Sequence, residues 1–366
     1  MVDVVVIGAG IAGLVCAQQL QSGGYKVVVV DKSRGLGGRV ATRRLSDTRA
    51  DHGACYLSPK DQLLGRFVQL LCVSGACRGH RGILQVWTDT VYKYSTTQQL
   101  QAAAGSPRYI APDGMSAIAK FLATNLEIRL QQRVEAITPN SNFSWHLSFD
   151  TSNTVTQPPL TAKAVVVAIP APQALMLLQP LAETGLPAVF LEQLRCVEFD
   201  PCLSVIAGYP AQLHQAPDWK AITFVDDSDL GWIGLDSSKR LEPGQTLVFV
   251  LHSSAEFARL HLDAEDLQPF GVQLLTRVSE CLLPWLAEPE WMQVHRWRYA
   301  FPSHPLQATY LSTTTPLPLV CCGDWCGGNL IESAMYSGIA AAEQINLQLD
   351  RRSLSEDNFF DFLSQA

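Results

Sequence analysis

Val4-Val5-Val6-Ile7-Gly8-Ala9-Gly10-Ile11-Ala12-Gly13 is the stretch that decides the fold. Four β-branched residues in succession read as a strand buried on both faces, the pattern of a parallel sheet covered by helices. Gly8 stops that strand, and apolar residues at 11, 14, 15, 17 and 20 then predict a helix over Ile11–Leu20. Gly23-Gly24 ends the helix, and Val27–Val30 makes a second all-apolar strand closed by Asp31. The glycines form G-x-G-x-x-G at the strand-to-helix turn, with an acidic residue 18 positions past Gly13. Gly8 permits the turn, Gly10 lets backbone approach a pyrophosphate and Gly13 lets helix and strand touch. The backbone of Ile11 and Ala12, at the helix N-terminus, attracts the anion, and Asp31 accepts hydrogen bonds from a ribose. This fingerprint does not by itself separate NAD from FAD.

Asp31-Lys32-Ser33-Arg34-Gly35-Leu36-Gly37-Gly38-Arg39 follows at once. Lys32, Gly38 and Arg39 are placed where the phosphates of a longer cofactor would lie, and Arg39 offers a fixed cationic fork to a diphosphate. Six of the 27 basic residues fall between 32 and 49, a local anion site in a chain of net charge −7.

Further along, the pattern predicts a helix from Pro59 to Ser74, a strand-rich piece over Ile83–Tyr94, and a polar Gln/Ala loop ending at Pro107. A helix over Ser116–Asn125 leads through an alternating hairpin around Trp145–Phe149 to another apolar strand, Ala164–Ile169. Beyond Pro172 the reading is antiparallel strands at Leu203–Tyr209, Ala221–Val225, Gly231–Leu235 and Thr246–Ser253, a helix near Asp266–Leu283 and a strand near Gln293–Tyr299. Leu317–Cys322 is a strand, Gly323-Asp324 a turn, and Ile331–Leu347 a small-residue helix.

With 366 residues, 47% hydrophobic and 17% charged, the chain has the composition of a globular protein of about two domains. Its acidic balance argues against nucleic acid or anionic lipid as a general partner. No apolar run is long enough to span a bilayer, and the strand-like run that follows Met1 at once leads us to expect no targeting leader. The ten cysteines lack Cys-x-x-Cys and zinc-ligand spacing, so they read as cytosolic thiols and no metal is expected. No G-x-S-x-G elbow, Walker lysine motif or H-E-x-x-H is present.

Asp31–Arg39 with Ala41-Thr42-Arg43 and Asp51-His52-Gly53-Ala54-Cys55-Tyr56 resembles the flavin-containing amine oxidase superfamily and, within it, the renalase family. Pro112-Asp113-Gly114-Met115-Ser116, Ala168–Gln173, His295-Arg296-Trp297-Arg298-Tyr299, and Cys322-Gly323-Asp324-Trp325 with Glu332-Ser333-Ala334 extend the resemblance in order along the chain. It implies an α/β fold, a glutathione-reductase-like, doubly wound FAD-binding domain (1–56, 110–171 and 311–366) with a second, mixed-sheet substrate domain (57–109 and 172–310) of amine-oxidase-like topology.

The cofactor it implies is noncovalent FAD. The diphosphate falls to Gly10–Gly13 and Arg39, the ribose to Asp31, and an adenine contact to the Val134 backbone. Gly323 and Asp324 reach the ribityl end, and Gly53, Ala54, Cys55 and Tyr56 line the ring. The helix starting at Ile331 and Glu332 points at the ring's N1 edge. The implied reaction is oxidation of the 2- and 6-dihydro isomers of NAD(P) to NAD(P)+ by hydride transfer to flavin N5, with oxygen reduced to hydrogen peroxide. Lys239, His252, Trp297 and Arg298 are the candidate substrate-pocket residues. Amine oxidation, and a non-catalytic flavin-binding redox partner, stand as alternatives. We expect a cytoplasmic monomer.

Overall fold

The computed structural model describes residues 1–46, 48–74, 82–97, 99–150, 159–242, 244–354 and 356–364. The chain divides into two compact units, Met1–Gly38 with Ile118–Glu198 and Pro302–Ala366, and Arg39–Ala117 with Phe199–Phe301.

In the first unit the strands run in the order Leu311–Thr313, Leu319–Cys321, Leu160–Val167, Val2–Ile7, Val27–Val30, Glu127–Arg129. All neighbours are parallel except the first pair. The hairpin Val134–Pro139 and Trp145–Phe149 adds antiparallel to the near end of Leu160–Val167. Val4 pairs with both Ala164 and Val27, and Val4, Val5 and Val6 have no exposed surface. Burial of that kind contributes about 1.5–3 kcal/mol for each valine. The helix Ile11–Ser22 lies against the helix Ile331–Gln348, where a Cβ on Gly338 would come within 2.5 Å of the Ala12 carbonyl oxygen. The small residues that sequence periodicity placed in that last helix are what allow this approach.

The other sheet, most of it in the second unit, runs in the order Trp291–His304, Glu198–Pro210, Thr246–Ser253, Leu230–Leu235, Ala221–Phe224, Gln85–Ser95, Gln99–Ile110. The sheet is mixed, because Ala221–Phe224 runs parallel to Gln85–Ser95 while the ladders from Glu198–Pro210 to Ala221–Phe224 are antiparallel. Leu203, Val205, Phe249, Leu251 and Ile233 share a core with Phe257, Leu274 and Val278 of the helices Ala255–His261 and Gln268–Cys281. Side chains alternate between faces, so Ser204, His252 and Trp232, which stand in register across three strands, occupy the other face.

Two expectations are corrected. The Gln/Ala segment is a strand and no loop: Gln99–Ile110 pairs antiparallel with Gln85–Ser95. It is an edge strand, held by backbone bonds, so it needs none of the β-branched alternation that identifies inner strands. The unit boundaries also fall elsewhere than the sequence suggested. Residues 39–56 join the second unit because their backbone bonds lie there, as in Thr42–Arg44 pairing with Arg49–Asp51 and Ala54 N donating to Arg39 O at 2.8 Å. Residues 110–117 follow them through Met115 N and Ser116 N, which donate to Asp51 and Thr42. The helices Ala171–Leu178 and Ala188–Arg195 belong to the first unit, packed on Val134–Pro139 and Leu311–Thr313. Leu306, bonded to Trp325 O, draws 302–310 the same way.

Candidate functional site

The glycine turn of the first unit is built as its sequence dictates. Gly8 has φ +111°, and a Cβ there would lie 2.4 Å from the Ala168 carbonyl oxygen. A Cβ on Gly13 would lie 2.0 Å from Gly8 O, so only glycine lets the helix approach the strand. Gly10, by contrast, faces open space, with nothing within 4 Å of a Cβ built on it. The helix that starts at Ile11 and Ala12 has no side-chain cap, which leaves its first N–H groups turned to whatever anion is present.

The second glycine cluster comes to the same place. Gly37 N donates to Ala9 O at 2.9 Å, and a Cβ on Gly38 would lie 3.5 Å from Gly10 Cα. The Asp31 carboxylate accepts from Ala9 N and from Ser33 N, both at 2.7 Å, and keeps lone pairs on each oxygen. Gln132 N donates to Asp31 O at 2.9 Å, which sets the half-buried Val134 near the same strand end, while Lys32 is exposed. Gly323 N donates to Ser337 Oγ at 3.0 Å, and the neighbouring Asp324 is 8% exposed. The Trp325 indole, buried, donates to Ile169 O at 3.1 Å, so it is a core residue and no part of a ligand wall. The long helix begins uncapped at Ile331, and Glu332 in its first turn is buried.

In the second unit the segment 51–56 carries the other predicted residues. The His52 carbonyl accepts from Trp297 Nε1 at 2.9 Å and from His252 Nε2 at 3.3 Å, which assigns the Nε2–H tautomer to His252. The His52, His295 and Trp297 rings cluster at 4.4–5.4 Å between centroids. Gly53 has room for no side chain, since a Cβ would lie 2.0 Å from Arg39 O. Ala54 is half-buried beside it. The Tyr56 ring centroid lies 6.3 Å from those of both Trp87 and Trp232, and that of Trp232 lies 5.3 Å from that of His252. Arg39 Nη1 donates to Ala300 O at 3.0 Å.

Three predicted residues take other roles. Lys239 has no exposed side-chain surface, and its ammonium is taken up by Asp236 at 2.6 Å and Asp51 at 3.2 Å; it is a buried ion-pair member that a ligand does not reach. Arg298 lies on the strand face opposite Trp297, exposed and paired with Asp263 at 2.6 Å, as the two-residue period of a strand requires. The Cys55 thiol donates to Asp51 O at 3.0 Å and is buried, which raises its pKa, so its side chain is turned to the core rather than to a ligand.

What the sequence missed is the set of partners: Asp51, Asp236 and Arg240 around Lys239, and Trp87 beside Tyr56. Asp236-Ser237-Ser238-Lys239-Arg240 carried the i,i+3 and i,i+4 spacing that pairs acid with base locally. Among the described residues no group of His, Cys, Asp and Glu is arranged to hold a metal, and no helix is long and apolar enough to cross a membrane.

Burial, then the neighbouring His295 and Arg43, pushes His52 down to about 3, and burial pushes His252 down to about 4. In the unfolded chain both titrate near pH 6.5, so on acidification the unfolded state gains protons first. Their contribution to stability is complete above pH 6.5 and is lost as pH falls towards 4. Between pH 7 and 4.5 we expect about 2 kcal/mol of loss from each. His252→Gln keeps a donor for the His52 carbonyl and should flatten the pH dependence of the urea midpoint; an unchanged slope would mean that His252 is protonated natively.

Residues 74–346 match the family model for flavin containing amine oxidoreductase, and residues 6–71 match that for an NAD(P)-binding Rossmann-like domain. A Mycobacterium tuberculosis protein named as a flavin-containing monoamine oxidase, AofH, is 35% identical over 98 residues, 26% of this chain and 21% of that one. L-amino acid oxidase Cdc18 of Crotalus durissus cumanensis is 38% identical over 66 residues, 18% of this chain and 13% of that one. The chain thus spans at most about a fifth of the length of the curated relatives it matches. Among solved structures, putrescine oxidase bound to putrescine superposes with TM-score 0.69 at 13% identity, covering 94% of this chain and 99% of that one. Cyclohexylamine oxidase from Brevibacterium oxydans IH-35A gives 0.67 at 14%, covering 96% and 100%. At such identity the likeness speaks for the fold alone, whereas the family model covers most of the sequence: the chain belongs to the flavin containing amine oxidoreductase family.

Proposed function

We propose that this FAD-dependent oxidoreductase oxidises the 2- and 6-dihydro isomers of NAD(P) to NAD(P)+, with oxygen reduced to hydrogen peroxide. FAD is the cofactor its family brings. The residues fit it: Gly10 leaves open the space a Cβ would fill, beside an uncapped helix N-terminus and the Asp31 carboxylate. In this reading Gly8, Gly10, Ile11, Ala12, Gly13, Lys32, Gly38 and Arg39 hold the diphosphate, Asp31 the ribose and Val134 the adenine. Gly323, Asp324, Ile331 and Glu332 take the flavin's other end, and Gly53, Ala54 and Tyr56 its ring. FAD held in this way is noncovalent, so acid precipitation should release it. When bound it supplies a two-electron acceptor for hydride that oxygen reoxidises.

The observation that carries the substrate assignment is the character of the His52, His295 and Trp297 group. It presents rings, its imidazoles are held uncharged by burial, and the adjacent Asp51 carboxylate is consumed by Lys239 and Arg240. A flat, neutral dihydronicotinamide suits such a wall, and hydride transfer from it asks for stacking and orientation and no general base. The family model and the names of the relatives favour a second reading, oxidation of a free amine. Anaerobic rapid mixing separates the two. We expect the dihydro isomers to bleach the flavin about 100-fold faster than putrescine or cyclohexylamine, the scale of a few kcal/mol in transition-state binding. Fast bleaching by the amines with none by the isomers would establish the second reading.

A further inference from the structure

We infer that the buried quartet Asp51, Asp236, Lys239 and Arg240 sets the position of His52–Tyr56 towards the flavin, so that Lys239 acts on the reaction through Asp51 and never by touching substrate. The inference rests on the reading above, in which Gly53, Ala54 and Tyr56 line the flavin ring.

Asp51 is fixed from every side. Its Oδ1 accepts from Thr42 Oγ1 at 2.7 Å and Met115 N at 2.8 Å, and its Oδ2 accepts from Lys239 Nζ at 3.2 Å and Arg240 Nη2 at 3.3 Å. Its N–H donates to Asp236 Oδ1 at 3.3 Å, and its carbonyl accepts the Cys55 thiol. Asp236 closes the set by binding Lys239 at 2.6 Å and Arg240 through its second oxygen. Arg240 also reaches Pro112 O at 3.1 Å and Arg49 O at 3.2 Å. Three separate segments, Thr42, Ala111–Met115 and Asp236–Arg240, therefore meet on the residue directly before His52.

From there each step is held. The His52 carbonyl has two donors, Gly53 is pressed on Arg39 O, and Ala54 N donates to that same oxygen. Two carboxylates and two cations balance in charge, and Lys239 and Asp51 have no exposed side-chain surface. Buried ion pairs rarely maximise stability, since apolar residues of like volume often do as well. An apolar plug, however, has no direction, and it would leave the Asp51 peptide and carboxylate without their orienting partners. The chemistry of the quartet is thus that of a support for a functional segment.

The test uses the full-length holoenzyme and reads the flavin as well as stability. The paired variant Lys239→Met/Asp236→Asn removes one cation and one anion, leaves Asp51 facing Arg240, and should keep FAD and a near-native urea midpoint. Its flavin should nonetheless report the change: an altered visible circular dichroism band, and a shift of about threefold or more in the oxidised-to-reduced flavin ratio at a potential fixed by a reference dye. Lys239→Arg, with Asp236 in place, keeps the cation and should leave both at their wild-type values. Wild-type flavin signals in a folded, FAD-loaded paired variant overturn the inference. Should that variant not fold, Thr42→Val decides, because it removes the Thr42 Oγ1 bonds to Asp51 and from Ser116 N with every charge in place; unchanged dichroism and flavin ratio in it overturn the inference equally. Tyr56→Trp examines the underlying reading separately. Altered flavin fluorescence supports it, and fluorescence identical to wild type removes the ring-lining assignment and the inference with it.

Discussion

Gly13→Ala should strip the protein of its FAD. The added Cβ would stand 2.0 Å from Gly8 O and 3.0 Å from the Ala168 side chain, and the first of these is backbone that cannot swing aside. The helix Ile11–Ser22 has to back away from the strand, at a cost of about 1–3 kcal/mol for overpacking against a rigid neighbour. The same movement withdraws the helix N-terminus from the anion, and that attraction fades within one turn. Affinity for FAD should fall by about 100-fold, close to 2.7 kcal/mol, with a lowered urea midpoint. Gly10→Ala is the companion: its Cβ meets no protein atom, so the fold should be as stable as wild type while FAD retention drops. Wild-type FAD affinity and midpoint in Gly13→Ala would show that the helix is not held where the glycines put it.

The βαβ unit was legible because its signals are local. Val4–Ile7 and Val27–Val30 declare burial on both faces, and the glycines between them declare a turn that other residues cannot make. Gln99–Ile110 was not legible, since an edge strand draws its order from the partner's backbone and its Gln/Ala sequence has no preference to display. Trp297 and Arg298 could have been separated by the period of two, which sends neighbours to opposite faces. Lys239 was beyond reach in a different way: lysine is almost never fully buried, and the partner that makes burial tolerable, Asp51, is 188 residues away. Local spacing could suggest Asp236 with Lys239 and Arg240, but no local rule names the fourth member.

Asp51→Asn should be the most destabilising isosteric substitution in the second unit, at about 3–5 kcal/mol, the cost of breaking a buried ion pair by removing one partner. Asn fills the same volume, so no cavity arises. The damage is electrostatic, since Lys239 and Arg240 are left with Asp236 as the only carboxylate of the quartet. Lys239→Met should cost a similar amount with the opposite sign of excess charge, and the double variant should recover much of the loss, a coupling that a double-mutant cycle measures directly. The exposed pair Arg298–Asp263 is the contrast, and Arg298→Ala should change stability by less than about 1 kcal/mol. Burial alone would raise the Asp51 carboxyl, but Lys239 and then Arg240 outweigh it and hold it below the ordinary carboxylate range. A depressed carboxyl contributes its stability above the unfolded value, near pH 3.9, and loses it as pH falls below that. The gap between wild type and Asp51→Asn should therefore be constant from pH 7 to about 5 and narrow below about 4. A loss under about 1 kcal/mol at pH 7 would mean that solvent screens the quartet, contrary to the burial of Asp51 and Lys239.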